Sequence, residues 1–134
     1  MTANAIGNIE VSIPTLTEIE TNPDALIPKP AGYHILICMP QASSTYGDSG
    51  IVKATTSVHR ESILSMVGLV VDMGDQAYSD KDRFPNGPWC KQGDYVMFRS
   101  NSGTRFRVDG AEMRLINDDS VEAVIVDPSA ITTV

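Results

Sequence analysis

The side chains best suited to metal binding or nucleophilic chemistry are few: His34, His59, Cys38 and Cys90. His34 and Cys38 lie in Tyr33-His34-Ile35-Leu36-Ile37-Cys38-Met39, and their even spacing puts them on one side of an extended strand. No Cys-x-x-Cys or His-x-x-x-His spacing accompanies them, so they do not compose a zinc-ligand set. His59 stands in a polar stretch and reads as a solvated side chain. Asp72, Asp75, Asp80 and Asp82 gather around the start of a loop, where acidic groups serve solvation. Neither a phosphate-cradling Gly-x-x-x-x-Gly-Lys nor a Gly-x-Gly-x-x-Gly occurs. The expectation is no enzyme, no metal and no cofactor. The chemistry that remains is binding. Residues 41–61 are rich in Ser, Thr, Gly and Asp, yet contain an apolar pair, Ile51-Val52, directly after Gly50. An apolar motif in a polar segment is how a chain that orders on binding presents an anchor. The other reading of Gly50-Ile51-Val52 is the start of one more short strand.

The elements that must position this segment are strands. Tyr33–Met39, ended by Pro40, is a compact apolar run, the signature of a well-buried strand. Met66–Asp72 reads alike, with Gly68 marking a bulge or a close backbone approach. Gly93-Asp94 turns the chain into Tyr95–Arg99, and Gly103 opens Thr104–Val108, whose apolar positions alternate with Arg105 and Arg107. Asp109-Gly110 is a type I′ hairpin signal leading into Ala111–Ile116. After Asn117-Asp118-Asp119 comes Val121–Val126, stopped by Pro128. Six short strands without a long amphipathic helix predict an all-β fold, a small barrel or sandwich.

Two connections are long for a compact domain, and long connections tend to be functional. One runs from Pro40 to Ser65. The other, residues 75–92, holds Tyr78, Phe84 and Trp89 around a tight Asn86-Gly87 turn flanked by Pro85 and Pro88. Those aromatics pack the loop onto the barrel, onto a neighbouring subunit, or only against one another. Residues 1–32, punctuated by Pro14, Pro23, Pro28 and Pro30, read as an N-terminal extension. Thr15 and Glu18 have capping-box spacing, so a helical turn or two near Leu16–Ile19 is one reading and a loosely packed arm is the other.

A net charge of -7 disfavours nucleic acid and anionic membrane surfaces. No apolar run reaches the ~20 residues of a membrane span, and Met1–Glu10 lacks the features of a secretory signal. A cytoplasmic protein with reduced, buried thiols is expected.

From Tyr33 to about Val126 the chain resembles the GroES-type co-chaperonins. Gly50-Ile51-Val52 matches their mobile-loop motif, Val67–Gly74 the strand after it, and Gly93-Asp94-Tyr95-Val96-Met97-Phe98 their Gly-Asp strand. Met113–Ile116 and Val121–Val126 fall at the closing strands. The resemblance implies a GroES-like β-barrel over residues 33–128, with a mobile loop at 41–62, a roof loop at 75–92 and a tail at 129–134. It implies that Ile51 and Val52 enter an apolar groove of a GroEL-type chaperonin. Tyr78, Phe84 and Trp89 would belong to an inward-pointing roof, and edge strands would close a seven-membered homo-oligomeric ring. GroES-type caps hold no nucleotide, so ATP would act through the chaperonin. Lys53 replaces the family's third apolar loop residue, and the extension has no counterpart in short members, which suggests a divergent homologue, a viral one among the readings. The rival reading is a structural or adaptor β-barrel of a larger assembly such as a virion, with Ile51 and Val52 buried in its own barrel.

Overall fold

Strand β3 (His34–Cys38) is central, and its composition explains why. It pairs antiparallel with β5 (Val67–Met73) on one side and with β8 (Ala111–Asn117) on the other. A strand hydrogen-bonded on both edges and covered on both faces must be apolar at every position, and Ile35, Leu36, Ile37 and Cys38 are all buried. The computed structural model describes residues 2–6, 9–16, 26–42 and 65–131.

The main sheet is antiparallel, in the order β7-β8-β3-β5-β6-β9. It adds β6 (Tyr95–Phe98), β7 (Thr104–Val108) and β9 (Val121–Ile125), so all six strands read from the sequence are present. Alternation splits β3 between two cores. Ile35, Ile37 and Met39 join Val70, Val96, Phe98, Ile116 and Val121 in an inner cluster, around which the sheet curls as a small barrel. Leu36 and Cys38 join Leu69, Val71 and Met113 in an outer cluster.

Gly68 is the close-approach point. A Cβ there would lie 2.1 Å from Ile37 Cγ2 and 3.2 Å from the Cys38 carbonyl, so only glycine lets β5 lie this close to β3. The bulge falls elsewhere: the β3–β5 register passes from Leu36↔Asp72 to Ile37↔Val70 and leaves Val71 unpaired. The Asp109-Gly110 turn has φ of +50° and +83°, the two left-handed residues that a type I′ hairpin requires, and it closes on the pair Val108↔Ala111.

The extension is more ordered than its prolines suggest. β1 (Thr2–Ile6) and β2 (Ile9–Ile13) form a hairpin, and β2 pairs with β4 (Gln41–Ala42) to make a second, three-stranded sheet. Ile13 is buried, the Tyr95 hydroxyl donates to the Pro14 carbonyl at 2.9 Å, and Leu16 and Ile27 pack on the outer cluster. A loosely packed arm is therefore corrected for residues 9–16. Most of the Leu16–Ile19 helical turn lies outside the described residues. Gln41 and Ala42, expected in the loop, belong to a strand. Among the described residues no helix is long and apolar enough to cross a membrane.

Candidate functional site

The candidate binding residues Gly50, Ile51 and Val52 lie outside the described residues, but both flanks of their segment are described. On the N-terminal side, Ser12↔Gln41 and Val11↔Ala42 pair the flank with the N-terminal hairpin. On the C-terminal side the flank is Ser65, whose carbonyl accepts a hydrogen bond from Arg114 Nη1 at 3.3 Å. From Met66 onward the chain enters β5.

Residues 75–92 form a succession of turns without a strand. Tyr78 and Phe84, expected in a roof, belong to the inner core, at 3% and 2% exposure, whereas Trp89 is 47% exposed. The three rings pack together: Tyr78 meets Phe84 edge-on at 4.9 Å, Phe84 meets Trp89 edge-on at 4.9 Å, and Tyr78 lies 5.8 Å from Trp89. Such contacts add about 0.5–1.5 kcal/mol each beyond area burial. The loop thus packs locally on its own barrel, with one face of Trp89 left to solvent.

Asp118, which reads in the sequence only as part of a polar turn, anchors this packing. Tyr78 has a left-handed backbone, φ +59°, uncommon and costly for a bulky residue. Its N–H donates to Asp118 Oδ2 at 3.0 Å, which together with ring burial holds that conformation. Arg83 adds an ion pair with Asp119 and lies over the Phe84 ring at 5.3 Å. The Tyr78 hydroxyl is 3.5 Å from Cys90 Sγ. Burial first, then the Cys90 hydrogen bond and the acidic neighbours, push the phenol well above its ordinary range, so it stays a neutral hydroxyl.

His59 lies outside the described residues, and among the described residues His34, Cys38 and the acidic side chains form no common cluster. His34 Nδ1 lies 3.0 Å from the Ala31 carbonyl, and its ring stacks on Tyr33 at 4.8 Å. Asp72 faces Lys29 at 3.8 Å. Among the described residues no group of three His, Cys, Asp or Glu side chains could hold a metal ion.

Both cysteines are free and buried. Burial pushes the Cys38 thiol up to about 11, and burial is also the largest influence raising Cys90. The sign follows from linkage. A thiol held protonated by the fold contributes stability that is complete below its ordinary value of 9.0 and is lost as pH rises toward about 11. At pH 8 the folded protein is expected to give no rapid reaction with a thiol-labelling reagent, and two equivalents after unfolding. Fast labelling of the native protein at pH 8 would show that at least one thiol is open to solvent.

The profile of the Chaperonin 10 Kd subunit family matches residues 28–125, well over half of the 134-residue chain. The chain belongs to the chaperonin 10 Kd family. It is also similar to the Co-chaperonin GroES of Dinoroseobacter shibae, at 36% identity over 64 residues. That match covers 47% of this chain and 60% of the relative's length. The family range runs from the last prolines of the extension through β9, and so contains both flanks of the 43–64 segment and the whole six-stranded sheet.

The chaperonin 10 Kd chain carries one functional candidate that sequence reasoning missed. Arg114 is completely buried on β8, at a position that read only as part of a strand. A signal was available: Arg114 shares its strand parity with Ile116, an inner-core residue, so alternation already turns it inward. Burial lowers the pKa of its guanidinium, with Arg105 adding to the effect and Glu112 opposing it.

Proposed function

We propose that this chaperonin 10 Kd chain is a co-chaperonin that caps a GroEL-type chamber and assists ATP-dependent protein folding. It is a binding protein, not an enzyme, and acts in the cytoplasm without a cofactor, membrane or nucleic acid of its own. The observation that carries this reading is the family match over residues 28–125, which spans the whole sheet and the segment holding Gly50-Ile51-Val52. Ile51 and Val52 are the apolar anchors that enter the chaperonin's groove, and Lys53 tunes the strength of that contact. Trp89, half exposed at the surface of the 75–92 loop, is the roof residue available to a neighbour or to the chamber.

Ordering a polar segment around two apolar side chains costs conformational entropy, so each contact is weak alone. A ring of seven copies makes several such contacts at once, and effective concentration raises the combined strength by ~10²–10⁴. Weak single contacts also permit release, as a cap that cycles must do.

The test is to mix the full chain with a GroEL-type chaperonin, with and without ATP, and to record native mass. A ring that joins the chaperonin only when nucleotide is present is expected. A strictly monomeric chain, or no complex under either condition with the chaperonin of the native host, would favour an adaptor barrel instead.

A further inference from the structure

Burying a guanidinium is costly unless its donors are satisfied, so a completely buried arginine on β8 calls for a physical reason. Among the described residues, one nitrogen of Arg114 makes all of its hydrogen bonds. Nη1 lies 2.8 Å from the Ser100 carbonyl and 3.3 Å from each of the Ser65 and Ser102 carbonyls. Two N–H groups facing three acceptors must share, which explains one short distance and two longer ones. Nε and Nη2 have no hydrogen-bond partner among the described residues; Nη2 lies only within ion-pair range of Glu112, at 3.9 Å. The guanidinium carbon sits 5.3 Å from the centre of the Phe98 ring, a cation–π contact that fixes the group's position.

The three carbonyls come from two places in the chain. Ser100 and Ser102 belong to the turn between β6 and β7, and Ser65 is the residue at which the 43–64 segment rejoins the barrel. The opposite root of that segment is held by another device, the pairing of Gln41–Ala42 with β2.

We propose that the roots of the 43–64 segment are braced at two points, by the N-terminal hairpin at Gln41–Ala42 and by the Arg114 guanidinium at Ser65, and that Arg114 is a positioning residue for chaperonin binding. The inference rests on reading 43–64 as the chaperonin-binding segment. Its physical content is entropic: a segment whose ends are fixed has fewer orientations to lose when its tip docks. It also gives the N-terminal extension a role, since β2 supplies one of the two braces.

The test compares Arg114→Met with the unaltered full chain. Methionine fills similar apolar space and removes the buried charge, so the fold and ring mass are expected to persist. Hydrogen exchange in peptides covering Ser65 and Ser100–Ser102 is expected to speed up about tenfold, while peptides of β3 stay unchanged. Chaperonin binding is expected to weaken about tenfold or more, because the loss recurs in each copy of the ring. Arg114→Lys, which keeps the charge but is shorter and lacks the planar group that lies over Phe98, is expected to fall between the two, and it takes the same readouts should the methionine variant lose its fold. Unchanged exchange at both peptides would overturn the brace. Faster exchange with unchanged chaperonin binding would overturn the positioning role. If the unaltered chain binds no chaperonin, the functional reading and the positioning role fail together, and exchange alone decides the brace.

Discussion

Serine at both Ile51 and Val52 is expected to abolish the nucleotide-dependent chaperonin complex while leaving the barrel and the ring mass intact. A buried Ile or Val side chain contributes roughly 1.5–3 kcal/mol relative to exposure, so the double change removes the apolar content of each contact. Because a ring binds through several copies, the losses combine, and apparent affinity is expected to fall by at least ~100-fold. If 43–64 serves binding and not the chain's own core, thermal stability is expected to stay within a few degrees of the parent. Native mass and circular dichroism on the same preparation separate the outcomes. Loss of fold or ring together with binding would mean that Ile51 and Val52 belong to the chain's own core, as an adaptor barrel requires. Lys53→Leu is the complementary variant. Restoring an apolar third position is expected to tighten the complex and slow its release.

Phe84→Ala is expected to be the most damaging single truncation in the 75–92 loop. The ring is completely buried between Tyr78, Trp89 and the inner cluster, and such truncations cost about 3–5 kcal/mol through lost transfer energy and the cavity left behind. For a domain of this size that corresponds to a fall in Tm of roughly 10–20 °C. Trp89→Ala is expected to cost less than half as much, because 47% of that residue is already exposed. Trp89 is the chain's single tryptophan, so its emission in the Phe84→Ala variant reports directly on whether the loop has come away from the barrel. Equal losses in the two variants would place Trp89 in an interface between subunits.

The strands of the main sheet were legible because their chemistry is local. An apolar run closed by Pro40, a Gly-Asp turn before Tyr95–Phe98 and an Asp109-Gly110 hairpin each specify a strand or turn without reference to the rest of the chain. The hairpin of the extension could have been read too. Ile9-Glu10-Val11-Ser12-Ile13 alternates apolar and polar residues with the period of a strand, but the prolines that follow drew the reading toward an arm.

The site divides in the same way. Sequence alone marked the segment proposed for binding, because an apolar pair in a polar stretch and the order of the flanking strands are properties of the linear chain. The spacing of His34 and Cys38 matches no local zinc-ligand motif, and that too is a property of the linear chain. Only the tertiary structure decided that Tyr78 and Phe84 are core residues while Trp89 faces outward, that Asp118 holds the left-handed Tyr78 backbone, and that Arg114 grips Ser65 from 49 residues away. Those assignments rest on contacts between distant parts of the chain, and composition and periodicity record only which face a residue occupies, not which neighbour it meets there.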